Sequence, residues 1–370
     1  MGTLQSSTRA FGSVRRYIQG PGEIDNLKNY TKPLGSKVYA LISTGLFTTL
    51  KARLEKIYTE ESDCLFFDEF SGEITYAKLD EKTANARNFG AELIVAAGGG
   101  KVVDAAKIIA KENGIPVVLI PTIASTDAPV ASMSAVFNDA GEQQGIVLFQ
   151  DCPDIVLVDS ELIAQAPVRY FIAGVGDALA TCFEAKLSAM SDSPNFVSGG
   201  KRFTLAGMAI CEACEKTIME KAEAAVLAVR QQLCTPDVED VIEANTLLSG
   251  LGFINVGLCG AHATNTGLTV LTETQGTLHG ELVAFGIIVQ RVVEQRPLEE
   301  IAGLISFMRR IGLPTTLEEL GVHEMTEEML DRVTTKALSG FWKRYPYYVS
   351  KKSLGDAIMM ANALGHKYSN

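Results

Sequence analysis

Short apolar runs punctuate the first 165 residues: Lys37–Ile42, Cys64–Phe67, Ala91–Ala96, Ile115–Ile120 and Ile155–Val158. Glycine-rich turns and amphipathic stretches such as Thr49–Thr59 and Asp80–Phe89 separate them. Such alternation predicts a parallel sheet covered by helices. Beyond Pro167 long helical patterns take over, including Gly176–Met190, Phe203–Leu233, Val238–Gly250 and Glu281–Val293, with Gly250, Gly312-Leu-Pro314 and Gly321 as stops. The pattern predicts an α/β domain over residues 1–165, an all-α domain over 166–370, and a ligand cleft between them.

With 370 residues, 47% of them hydrophobic, the chain can bury one large core or two ordinary ones. The 44 acidic against 33 basic side chains leave a net charge of -11, which would repel a phosphate backbone or an anionic membrane surface. Neither nucleic acid nor membrane is expected as a partner. No run approaches the roughly twenty apolar residues of a membrane span, and Met1–Arg16 lacks the apolar segment of a secretory leader. A cytoplasmic protein is the expectation. Seven irregularly spaced cysteines suit reduced thiols, and Cys211 and Cys214 fall inside an apparent helix, where core packing is the favoured role.

Three segments carry candidate chemistry. Ile94-Val-Ala-Ala-Gly98-Gly99-Gly100-Lys101-Val-Val-Asp104 reads as a strand, three glycines and the first turn of a helix. Glycine allows close backbone approach to an anion, and a helix start offers unpaired N–H groups and a positive dipole end. A tight βα turn would need glycine too. After the next run comes Pro121-Thr122-Ile-Ala-Ser125-Thr126-Asp127-Ala-Pro129, with hydroxyls and a carboxylate where α/β sheets bind ligands. Alternatively, Ser125, Thr126 or Asp127 caps a following helix. Of the four histidines, His262 and His279 lie in apolar, glycine-marked stretches, whereas His323 and His366 have polar neighbours. With Asp177, a lone carboxylate in Gly174-Val-Gly-Asp-Ala-Leu-Ala-Thr181, they are candidate metal donors. The competing reading makes Asp177 a helix cap and both histidines ordinary core residues.

Together and in this order these segments, with Tyr17-Ile-Gln-Gly20 and Val241-Ile-Glu-Ala-Asn-Thr246, resemble the glycerol dehydrogenases of the iron-containing alcohol dehydrogenase superfamily over nearly the whole chain. The resemblance implies an N-terminal dinucleotide-binding α/β domain and an all-α C-terminal domain, the architecture shared with dehydroquinate synthase. It implies a divalent cation held by Asp177, His262 and His279, zinc rather than iron, and a nicotinamide cofactor touched by Gly98, Gly99, Gly100, Lys101, Asp104, Thr122 and Ser125. Asp127 would hold a substrate hydroxyl, favouring a small polyol such as glycerol, oxidised to dihydroxyacetone. A homo-oligomer is implied as well.

Some positions depart from the family. Ser43 and Thr44 stand where relatives place a ribose-binding Asp, so NADP becomes an alternative to NAD. Asn265 replaces a histidine common one turn after the ligand. Ala131, Met133 and Phe137 differ from the usual nicotinamide lining. The alternatives are a reductase of another aldehyde, ketone or 2-oxo compound, a glycerol-1-phosphate-type dehydrogenase, and a binding protein that lost activity.

Overall fold

The computed structural model describes residues 7–58, 64–139, 141 and 143–368. Met1–Ser6 of the N-terminal stretch and Thr59 of the first amphipathic one lie outside them. The first part runs β1 (Arg16–Gly20), α1 (Leu27–Thr31), β2 (Val38–Ser43), α2 (Phe47–Ile57), β3 (Leu65–Phe70), α3 (Tyr76–Phe89), β4 (Leu93–Gly98), α4 (Gly100–Asn113), β5 (Val117–Pro121), β6 (Met133–Phe137), β7 (Gln143–Leu148), β8 (Ile155–Asp159) and α5 (Ser160–Ala164). Helices follow: α6 (Val168–Met190), α7 (Leu205–Arg230), α8 (Pro236–Glu243), α9 (Ser249–Asn255), α10 (Gly260–Leu268), α11 (His279–Val293), α12 (Leu298–Ile311), α13 (Glu327–Ser339) and α14 (Lys351–Lys367).

Six strands form a sheet in the order β1-β8-β5-β4-β2-β3, every neighbouring pair parallel. Successive side chains of a strand point to opposite faces, so Tyr39 and Leu41 enter one core with Ile94 and Leu119, while Val38, Ala40 and Ile42 enter another with Leu50, Leu54 and Val95. Both faces being covered, β2, β4, β5 and β8 carry the near-continuous apolar runs seen in the sequence. The chain moves outward from β2 to β3 and then returns to place β4 on the other side of β2. This reversal of direction opens the crevice between the carboxyl ends of β2 and β4 where such sheets bind ligands.

Three strands escape the apolar-run signal. Edge strand β1, Arg-Tyr-Ile-Gln-Gly, is only partly buried, so its polar residues are tolerated. β6 and β7 form a half-exposed antiparallel hairpin whose alternating burial needs no continuous run. Among the helices, α6 begins eight residues before the expected Gly176, which places Asp177 well inside it and removes the capping role for that carboxylate. No helix follows Asp127 either: residues 127–130 form a turn leading into β6, so the caps considered for Ser125, Thr126 and Asp127 do not apply. The pattern over Val238–Gly250 resolves into α8, a π-helical turn over Ala244–Leu248 and the start of α9. Such turns are frequent near functional sites. No single helix among the described residues is long and apolar enough to cross a membrane.

Candidate metal and cofactor centre

Glycines with no room for a side chain bring the parts of the site together. A Cβ on Gly174 would stand 1.8 Å from the Ala124 carbonyl oxygen, one on Gly280 1.7 Å from that of Ala173, and one on Gly286 2.4 Å from that of Ala261. Helix α6 thus lies directly on the loop after β5 and on the start of α11, and α11 on α10. Asn245, in the π-helical turn, donates to the carbonyls of Ala124 and Phe171 and ties the same loop to α6. The packing carries Asp177, His262 and His279 to one place.

Their donor atoms all lie within 4.8 Å of one another. Asp177 Oδ1 is 3.1 Å from His262 Nε2 and 3.5 Å from His279 Nε2. Ligands about 2.0–2.2 Å from a tetrahedral ion stand roughly 3.3–3.5 Å apart, so the donor set fits a divalent cation. One carboxylate and two imidazoles suit zinc or iron(II). Asp177 and His262 are buried, but the His279 side chain is 43% exposed, which leaves a side open to substrate.

Glu184, two turns after Asp177 on α6 and fully buried, orients the first imidazole. Its Oε2 lies 2.5 Å from His262 Nδ1, and its Oε1 accepts the backbone N–H groups of Cys259 and His262 at the start of α10. The helix dipole favours an anion there. With its proton on Nδ1, His262 offers the Nε2 lone pair to a cation. Sequence reading missed Glu184; its signal was a second carboxylate on the same apolar helical face, seven residues on. Glu184→Gln, which sets an amide against Nδ1, is expected to weaken zinc binding about 10–100-fold, measured by competition with a chromophoric chelator. Unchanged affinity would leave Glu184 as a helix cap only.

Charge couples these groups. Burial opposes ionisation of Asp177, but the imidazoles of His279 and His262 outweigh it and hold the carboxyl below its usual range. Burial and the neighbouring Asp177 push Asp127 up to about 7. Burial also works against a charged imidazole at His262, yet Glu184 and Asp177 prevail and raise it well above its ordinary value. A cation must therefore compete with a proton that Glu184 and Asp177 favour on this imidazole. Cation affinity should rise with pH from 6 to 8, approaching tenfold per pH unit for each proton displaced; a flat dependence in zinc titrations across that range contradicts the assignment.

Asp127 adjoins the donors: its N–H lies 3.4 Å from Asp177 Oδ2. Ser249, emerging from the π-helical turn, donates to Asp127 Oδ2 at 2.8 Å and is bonded to Thr181. Ser249 too was missed, because only the π-helical turn aims it at the loop.

At the crevice, Gly98 ends β4 and Gly99 caps α4. A Cβ on Gly98 would meet Val102 at 2.5 Å and one on Gly99 would meet Ile123 at 2.9 Å, so a tight turn accounts for both glycines. Gly100 is different: its Cβ would approach nothing nearer than Thr126 Oγ1 at 3.5 Å. Its backbone fits a nearby phosphate that a side chain would hold off. Gly100→Ala should therefore fold with unchanged Tm yet raise KM for the dinucleotide about tenfold, a cost of roughly 1.4 kcal/mol. Loss of stability with unaltered KM would assign Gly100 to packing.

Thr122, buried at the end of β5, donates its N–H to Gly98, and half-buried Ser125 follows in the same loop. Ser43 ends β2 across the crevice and Thr44 follows it, its hydroxyl donating to the Phe70 carbonyl. Lys101 pairs with Glu73. Asp104 pairs with Lys107 and accepts the Ala135 N–H, holding the β6–β7 hairpin. Lys107 donates to the carbonyls of Ala131 and Met133. Met133 packs on the helical core and Phe137 on the sheet core.

Residues 14–160 match the iron-containing alcohol dehydrogenase family model. A glycerol dehydrogenase of Citrobacter freundii is 35% identical over 96% of this chain and 98% of its own length. The chain belongs to the glycerol dehydrogenase family of iron-containing alcohol dehydrogenases. A probable glycerol dehydrogenase from Sinorhizobium meliloti, 40% identical, superposes with a TM-score of 0.92 over 97% of this chain and 100% of that one. A glycolaldehyde reductase of Halobacterium salinarum is 36% identical over 97% of this chain and 99% of its own. Membership accounts for the architecture expected from the motifs, and the family is NAD-dependent and metal-binding.

Proposed function

We propose that this protein is a metal-dependent, NAD-linked polyol dehydrogenase that interconverts glycerol, or a similar vicinal diol, with its hydroxyketone. The observation that carries the reading is the convergence of Asp177, His262 and His279 beside Asp127. Asp177, His262 and His279 would hold the cation, with zinc favoured over iron. The end of β4, the start of α4, Thr122 and Ser125 would hold the dinucleotide pyrophosphate, and Ser43 and Thr44 would face the adenosine ribose. When bound, the cation makes a substrate hydroxyl easier to ionise and the nicotinamide accepts the hydride.

The chain's own residues do the positioning. Ser249 fixes one oxygen of Asp127, leaving the other to accept the neighbouring substrate hydroxyl, which favours diols over simple alcohols. With no carboxylate among Ser43, Thr44 and Gly45, a 2′-phosphate meets no like charge there, so NADP is the second cofactor to test. Residues 1–165 would serve as cofactor domain and 166–370 as metal and substrate domain, in a cytoplasmic homo-oligomer. The glycolaldehyde reductase relative favours a second reading, reduction of small hydroxyaldehydes at the same centre.

The test is an assay of glycerol, propanediols, glycolaldehyde and 2-oxo compounds with NAD(H) and NADP(H), after chelation and after adding back zinc or iron(II). Restoration of glycerol oxidation by the metal supports the proposal. Turnover indifferent to chelation, or no turnover with any diol, would refute it.

A further inference from the structure

A neutral imidazole carries its proton on Nδ1 or on Nε2, and a cation ligand must present a lone pair. Glu184 decides the matter for His262, but among the described residues no carboxylate is paired with His279 Nδ1. It faces the side-chain amide of Asn265, whose nitrogen is 3.0 Å away. Asn265 is 5% exposed, and its carbonyl oxygen is buried with no partner among the described residues.

A half-turn of the amide exchanges its nitrogen and oxygen and selects the tautomer. With nitrogen toward Nδ1, the imidazole proton is forced to Nε2, where it blocks ligation. With oxygen toward Nδ1, the Nδ1–H becomes the donor that the orphaned oxygen lacks, and Nε2 is freed beside Asp177. The half-turn moves the amide nitrogen to where the oxygen stood, so it is the need for an Nε2 lone pair facing the cation, and not the amide's own hydrogen-bond count, that selects the second arrangement. The His279 side chain is 43% exposed against 9% for His262, so packing holds its ring less firmly.

We propose that Asn265 is a positioning residue for the metal centre: its carbonyl accepts the Nδ1 proton of His279 and so presents Nε2 to the cation. Helix α10 thereby supplies one ligand, His262, and, one turn later, the group that orients the next. The inference rests on reading Asp177, His262 and His279 as a cation site.

The test is zinc affinity of the full chain, by competition with a chromophoric chelator, for the wild type, Asn265→Leu and Asn265→Asp. Asn265→Leu, similar in shape but without an acceptor, should bind zinc about 10–100-fold more weakly. Asn265→Asp, which keeps the acceptor, should stay within about threefold of the wild type. Asn265→Leu binding as tightly as the wild type, or Asn265→Asp losing as much as Asn265→Leu, overturns the proposal. Should Asn265→Leu fail to fold, ring nitrogen-15 spectra of the zinc-loaded wild type still decide. The His279 proton is expected on Nδ1, and finding it on Nε2 overturns the assignment. A wild type that binds no zinc overturns the cation site itself, whereas tight wild-type binding with an unaffected Asn265→Leu overturns this inference alone.

Discussion

Asp177→Ala is expected to abolish tight zinc binding and to lower kcat/KM for glycerol on the order of 10³-fold, about 4 kcal/mol of transition-state stabilisation. Among the described residues Asp177 Oδ1 is the one atom paired with both His262 Nε2 and His279 Nε2, so its loss leaves two imidazoles with no anion between them. The fold should survive, because removing a buried carboxylate also removes its desolvation cost; the backbone N–H of Asp127 gives up its 3.4 Å contact with that group. Metal content by mass spectrometry, far-ultraviolet circular dichroism and steady-state kinetics together check this. A folded variant that keeps one equivalent of zinc and wild-type turnover would show that the catalytic cation lies elsewhere.

Gly280→Ala is the second large effect, and it acts on shape. The new Cβ would stand 1.7 Å from the Ala173 carbonyl oxygen, a backbone atom with no freedom to turn away, so the start of α11 must move off α6 by more than an ångström. His279 is the preceding residue and moves with it. A destabilisation of roughly 3 kcal/mol, read as a lowered urea midpoint, should accompany at least a tenfold loss of zinc affinity. Gly303→Ala on α12, whose Cβ meets nothing within 4 Å, serves as the comparison and should leave both unchanged. Equal behaviour of the two variants would mean that α6 and α11 can separate without disturbing the donors.

The apolar runs of β2, β4, β5 and β8 were legible because helices cover both faces of a parallel sheet and leave polar residues only at the carboxyl ends of β2 and β8. β1 was not, since an edge strand tolerates Arg16 and Gln19, and the β6–β7 hairpin was not, since its half-exposed alternation forms no run. The start of α6 was misplaced because Gly174 and Gly176 read as breaks. Inside the helix they admit a neighbouring backbone. His262 and His279 stood out by rarity in apolar surroundings, and Asp177 by its isolation. Glu184 looked ordinary and Asn265 registered only as a departure from relatives, because a buried carboxylate and a helical amide acquire their roles only from the imidazole each one faces.

Local residue chemistry thus determined the α/β-then-helical order and marked the glycine turn and the three donors as candidates, since these depend on periodicity, conformational freedom or side-chain type within one segment; the resemblance to a known family is what chose among their readings. Tertiary structure alone decided that β4 lies beside β2, that Gly98 and Gly99 are spoken for by sterics while Gly100 is not, and that donors as far apart in sequence as Asp177 and His279 meet at one place. Those outcomes depend on which backbones approach within contact distance, and that is set by packing between segments rather than by any one of them.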